Sequence, residues 1–234
     1  MRSPTRSPTR SPKRSPYAPA VALWSGVLSA VLLALVAAEW GPLISLDRVV
    51  ADGLHDSAVR SPALTHANRI LSDWVWDPWT MRALIAVGVV WLWWHGERLL
   101  AVWTVTVSAT GSAVQQLLKA AVGRDRPWWP DPVDSAHYAA FPSGHAMTAT
   151  VTCGLLLWLL VRFGVGRRPR IAVLLVGAVS VVGVGLTRMY LGVHWASDVV
   201  GGWLLGVCLV AVAVPAYERT VSRAESRRDL ARQD

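Results

Sequence analysis

Three short stretches of this chain hold the residue types that could together break a phosphate ester. Such a reaction needs cations for the phosphoryl oxygens, a nucleophile, a group that orients it, and an acid for the leaving oxygen. Lys119 and Arg126 stand seven residues apart in KAAVGRDRP. Arg can grip phosphate oxygens through two parallel N–H groups, and Lys adds a point charge. Phe141-Pro142-Ser143-Gly144-His145 follows, just ahead of an apolar run. Ser143 suits a helix N-cap, Gly144 removes side-chain bulk, and free N–H groups at a helix start bind anions. The last stretch is TRMYLGVHWASD, with Arg188, His194 and Asp198. The i,i+4 spacing puts His194 and Asp198 on one face of a helix. Asp198 can then accept from Nδ1–H of His194 and leave Nε2 free to attack.

Each stretch has a plainer explanation when taken alone. Lysine and arginine snorkel at the ends of membrane helices. Pro-Ser is an ordinary helix start, and an aspartate in a first turn complements the helix dipole. The chemical reading gains its force if the rest of the chain brings all three stretches to one place.

The elements that must do so are membrane helices. Only 16% of the 234 residues are charged and 53% are hydrophobic, with a mean hydropathy of +0.37. A soluble domain carries roughly 25% charge. Six apolar segments are expected as helices: Ala20 to Trp40, Asp77-Pro78 to Trp94, Leu99 to Leu118, Ser143 to Phe163, Ile171 to Tyr190, and His194 to Tyr217. The first would be about 31 Å long, enough to cross the hydrocarbon core, and too long for a cleaved signal segment. Residues 41–77 carry Asp47, Asp52, Asp56 and Asp73 among apolar neighbours, so an amphipathic stretch lying at the membrane interface is expected. Residues 1–16 repeat RSPT with a proline every fourth position and should be disordered. This divides the chain into a basic tail at 1–16, a membrane domain at 17–218 and a second basic tail at 219–234.

The net charge of +8 is not spread as a nucleic-acid surface would be. Fifteen of the 23 Lys and Arg lie in the two tails, at Arg98 and between Arg162 and Arg170. With six spans these all share one side, which the positive-inside rule makes cytoplasmic. Residues 119–145 and 187–198 then both face outward, so all three stretches meet. Cys153 and Cys208 sit inside apolar runs and read as packing residues, without a disulfide or metal framework.

The three motifs resemble those of the type 2 phosphatidic acid phosphatase (PAP2) superfamily. That pattern is K-x6-RP, PSGH and [ST]R-x5-H-x3-D, here Lys119 to Pro127, Pro142 to His145 and Thr187 to Asp198. The resemblance covers about residues 80–215. It implies an all-α fold of six membrane spans, and phosphatase chemistry with no metal or other cofactor. It implies that Lys119, Arg126 and Arg188 bind phosphate with Ser143 and Gly144. It makes His194 the nucleophile, Asp198 its orienting partner and His145 the acid. The implied partner is a lipid phosphate or diphosphate within a plasma membrane, such as phosphatidate or an isoprenyl diphosphate, and not a nucleic acid. A lipid transporter or scaffold on the same fold, or a phosphotransferase passing the phosphoryl group to an alcohol, are the alternatives. Retention of both histidines speaks against the first of these.

Overall fold

The structure is a computed structural model and describes residues 16–231. The repeat expected to be disordered falls, except for Pro16, outside the described residues. Among the described residues there are helices and turns but no strand. The helices are α1 (Ala18–Ala37), α2 (Gly41–Arg60), α3 (Pro62–Ile70), α4 (Pro78–Trp94), α5 (Arg98–Val122), α6 (Gly144–Arg162), α7 (Arg167–Tyr190) and α8 (Ala196–Leu230). A π-helical turn, Leu71–Val75, joins α3 to α4.

Local sequence sets most of these boundaries. Proline stands in the first turn of α1, α2, α3 and α4, where its missing N–H has no helical partner to lose. Asp77 caps α4, its carboxylate accepting from the N–H groups of Trp79 at 2.6 Å and Thr80 at 3.4 Å. Gly123 ends α5 with φ of 60°, a left-handed turn that costs glycine little.

Among the described residues four helices, α1, α6, α7 and α8, are long and apolar enough to cross a membrane. Of the six expected spans, α4 has 17 residues and α5 is interrupted by Thr104, Thr106, Ser108, Thr110, Ser112 and two glutamines. On α7 the apolar residues Leu174, Leu175, Val176, Val179 and Val182 are exposed, as a membrane span requires. The expected sixth segment is longer than anticipated. The helix passes Tyr217 without a break and continues to Leu230, 35 residues in all. At 1.5 Å per residue this is about 52 Å, well beyond a hydrocarbon core of about 30 Å, so its last turns stand clear of it.

The core sits around α6, which packs against α4, α5, α7 and α8, while α1 lies along α8. Glycines bring α6 and α8 close, as small residues do between membrane helices. A methyl group on Gly202 would come within 2.7 Å of the Ser143 carbonyl oxygen, and one on Gly206 within 2.7 Å of Thr150. This approach lets the Ser143 N–H donate to the Asp198 carbonyl at 2.9 Å. Two of the candidate motifs are therefore joined by backbone. The far end of the bundle is pinned by Arg162 on Glu218 at 3.0 Å, with Leu92, Leu100, Leu155 and Tyr217 buried nearby.

The stretch 41–77 forms α2, α3 and the π-helical turn, and it is more than an interfacial cover. It sends buried polar groups inward: Asp47 is 1% exposed, Ser72 0% and His55 6%.

Candidate active site

The end of α5, the start of α6, the end of α7 and the start of α8 meet at one end of the bundle. Lys119, Arg126, Ser143, Gly144, His145, Arg188, His194 and Asp198 lie on these helix ends or on the loops joining them. His194 departs from expectation in one respect. It is not on a helix but one residue ahead of Trp195, the N-cap of α8. The contact with Asp198 forms nonetheless, His194 Nδ1 lying 3.3 Å from Asp198 Oδ2. The reason is capping. Asp198, three residues into the helix, turns its carboxylate back to accept the Trp195 N–H at 2.9 Å, and the same oxygen reaches the preceding imidazole.

Nδ1–H donates to Asp198, so Nε2 carries the lone pair and receives Nη1 of Arg126 at 3.2 Å. His194 is 2% exposed. Burial, and then the charges of Arg126, Arg188 and Lys119, hold its pKa well below the usual imidazole value, against a hydrogen bond with the Ala140 backbone. The ring is a neutral base pointed at a cluster of cations. Arg126 itself is lowered to about 10, first by burial and then by Arg188, with Asp198 opposing, and it stays charged at neutral pH.

The cations are held by the loops around them. Arg126 donates to the carbonyls of Tyr138 at 2.9 Å and His137 at 3.1 Å, and also to that of Val193. Lys119 Nζ donates to the carbonyls of Ala139 and Ala140. Arg188 Nη1 donates to Ser72 Oγ at 2.7 Å and lies 3.8 Å from Asp134. Arg188 Nε and Ser143 Oγ are among the buried side-chain atoms that have no hydrogen-bond partner among the described residues. Both are hydrogen-bonding groups of the motifs that are not committed to another side chain or to the backbone. Ser143 heads α6 without using its hydroxyl as a cap. A methyl group on Gly144 would strike the Gln115 amide nitrogen, so Gln115 would have to move aside for a larger residue. His145 opens the same helix, within the electrostatic reach of Arg188, His194, Arg126 and Lys119.

The pattern of neutral imidazole, tethering carboxylate and converging cations spans the region that the model of the PAP2 superfamily matches, residues 99–222. The chain belongs to the PAP2 superfamily. It is 30% identical over 132 residues to phosphatidylglycerophosphatase B of Bacillus subtilis, covering 56% of this chain and 61% of that protein. It is 39% identical over 77 residues to undecaprenyl-diphosphatase of Sulfolobus acidocaldarius, covering 33% of this chain and 31% of that one. The match thus takes in less than two thirds of either relative. The fold follows the crystal structure of a transmembrane PAP2 type phosphatidylglycerolphosphate phosphatase from Bacillus subtilis, with a TM-score of 0.75 and 22% identity, over 85% of this chain and 96% of that one.

The PAP2 motifs do not include several residues that the structure brings to the site. Arg124 lies two positions before Arg126 and pairs with both Asp198 and Asp47. Ser72 holds Arg188 from the π-helical turn, a distortion often found at functional sites. His55 stacks on Trp129 with centroids 3.9 Å apart, and Trp129 Nε1 donates to the Gly192 carbonyl at 3.0 Å. Gly192 needs its glycine twice over, for a φ of 68° and because Trp129 fills the place of a side chain. Asp47 was visible in sequence as an acid among apolar residues, and Arg124 as a third cation in its stretch. Nothing marked Ser72.

The neutral state of His194 has a consequence for stability in this PAP2 protein. An unfolded chain protonates this imidazole near pH 6.5, whereas the folded one does not. Below pH 6.5 the unfolded state binds more protons, so folding stability falls with pH, by about 1.4 kcal/mol per unit from this one group. Above pH 6.5 neither state binds the proton and the group adds no slope. The apparent Tm in detergent is expected to drop between pH 6.5 and 5, and His194→Asn should flatten that drop. An identical pH slope in the variant would speak against a neutral buried ring.

Proposed function

We propose that this protein is an integral membrane phosphatase that removes phosphate from a lipid phosphate or diphosphate through a phosphohistidine on His194. One observation carries the reading: Asp198 tethers the neutral His194 at Nδ1 while Nε2 meets Arg126, at the helix ends that also bear Arg188 and Ser143. Lys119, Arg126 and Arg188 hold the phosphoryl oxygens, with Ser143 and the first N–H groups of α6 completing the cradle. Nε2 attacks phosphorus and the P–O bond to the lipid breaks. His145 gives its proton to the leaving oxygen, then takes one from the water that hydrolyses the P–N bond. Asp198 balances the positive charge that the ring acquires once phosphorylated.

In this reading residues 17–218 form the membrane domain, with α4 and α5 joining α1, α6, α7 and α8 as six spans. The Arg98 and Arg162–Arg170 turns, the start of α1 and the end of α8 face the cytoplasm. The site then opens on the outer face of the plasma membrane, where α2 and α3 lie along the interface. The substrates named for the relatives, phosphatidylglycerophosphate and undecaprenyl diphosphate, share a phosphoryl headgroup on an apolar tail, and that is the class assigned here. The deciding measurement is inorganic phosphate release by the purified protein in mixed micelles, with a chelator present. Diacyl phosphates and polyprenyl diphosphates are offered in parallel. Turnover of at least one class is expected, and no release from any lipid phosphate would overturn the proposal.

A further inference from the structure

We propose that Arg124 is a positioning residue for the reaction at His194, locking the Asp198 carboxylate in place while Asp47 of α2 locks Arg124. The inference rests on the phosphohistidine reading above and adds residues that the three motifs leave out.

Asp198 is fully buried, and its two oxygens have different tasks. Oδ2 takes the Trp195 N–H and faces His194 Nδ1. Oδ1 takes Nη1 of Arg124 at 2.6 Å. A carboxylate held by one oxygen alone can swing about its Cβ–Cγ bond and lose the imidazole, whereas anchors on both oxygens fix its plane. Arg124 is fixed in turn. Its Nη1 also donates to Ser197 Oγ at 2.7 Å, and its Nη2 to Asp47 Oδ2 at 2.7 Å. Asp47 Oδ1 accepts the Ser197 N–H at 2.9 Å, and Oδ2 accepts the Ser197 hydroxyl. The guanidinium lies 5.6 Å from the Trp195 ring centre and its side chain is 11% exposed. The left-handed Gly123 is what turns the chain back so that Arg124 can reach α8.

Charge explains why two acids are present. Arg124 with Asp198 alone would be neutral and would leave little negative charge for the phosphorylated ring. With Asp47 added, two buried carboxylates share one guanidinium, and one net negative charge remains beside His194. Arg124 and Lys119 belong to one stretch of chain and do different work. The paired directions of Arg124 go to carboxylates and Ser197, whereas Arg126 meets the imidazole.

Removing Arg124 alone would leave two carboxylates buried together and endanger the fold. The paired change R124Q/D47N keeps the net charge and deletes the clamp. On the lipid that the wild type turns over, its kcat is expected to fall about 10- to 100-fold, the size of loss seen when an outer partner of a functional histidine is removed, with KM changed less than about threefold. R124K keeps the charge but cannot bridge both acids, so its kcat falls between the two. Placed on D198N, R124Q/D47N is expected to cost less than about threefold more, because the clamp then has nothing to act through. An equal loss with and without Asp198, or a rise in KM at unchanged kcat, would overturn the positioning role. Nitrogen NMR of labelled histidine, with His194 assigned by H194N, gives a readout independent of turnover. The Nδ1-protonated tautomer is expected in the wild type and a mixture in R124Q/D47N. An unchanged tautomer together with unchanged kcat sinks this inference while leaving the phosphatase reading intact. A wild type without phosphate release sinks the phosphatase reading, and the tautomer then decides the clamp by itself.

Discussion

Replacing His194 with alanine is expected to slow phosphate release by a factor of at least about 10⁴, because the atom proposed to attack phosphorus is gone. The fold should survive. Asp198 would still accept the Trp195 N–H and pair with Arg124, so no carboxylate is left buried without a partner. The ring meets Asp198, Arg126 and the Ala140 backbone, and Arg126 keeps three backbone acceptors in its absence. The measurement is single-turnover release from a lipid carrying labelled phosphate, beside an unfolding curve in the same detergent. Label trapped on the wild-type protein under rapid quench, and absent from the variant, would place the intermediate on this ring. Release at the wild-type rate from a folded His194→Ala protein would remove the mechanism.

Arg188→Ala is expected to lower kcat/KM by about 10² to 10³, which is what the loss of one donor to a developing anion costs in a buried site. The side chain is 5% exposed and already oriented, with Nη1 on Ser72 and Nε open. Binding phosphate through such a group requires little reordering, so its removal is felt in the transition state more than in substrate binding. Arg188→Lys should recover only part of the loss, since an ammonium cannot hold Ser72 and two phosphoryl oxygens in one plane. Ser72→Ala should show a smaller fall in the same direction, because it frees Arg188 without deleting it. Comparable rates for Arg188→Ala and the wild type would mean that the guanidinium serves packing alone.

Much of the site could be read from one dimension. Lys119 and Arg126, Ser143 to His145, and Arg188 with His194 and Asp198 are each confined to a dozen residues or fewer. Their chemistry follows from side-chain type and from spacing. Their meeting follows from the alternation of apolar spans, since successive helix ends of one sense must lie at one end of a bundle. The His194–Asp198 contact shows how local information can succeed by another route. The spacing suggested a helical face, yet the pair forms across a helix start, because an aspartate at the third helical position reaches back to the residues before the cap. A separation of four residues permits either geometry.

The long-range partners were beyond such reading. Arg124 and Asp47 are 77 residues apart, Arg188 and Ser72 are 116, and Ser197 and Asp47 are 150. No periodicity or spacing rule connects residues at such distances. The segment 41–77 illustrates the limit: its acids and apolar residues were visible, and the amphipathic pattern was apparent. Which acid turns inward was decided by what it meets: Asp47 finds Arg124 and Ser197 once α2 packs against the helix ends.

The order of residues alone therefore determined that this chain is helical and apolar, and that it carries two histidines, an aspartate and three cations of the types suited to a phosphoryl group. Those properties reside in side-chain chemistry and in neighbours a few bonds away. Tertiary structure decided the rest: that His194 is neutral, that Ser72 holds Arg188, and that Arg124 serves a carboxylate. Burial and charge pairing depend on which surfaces touch, and that is settled only when the helices pack.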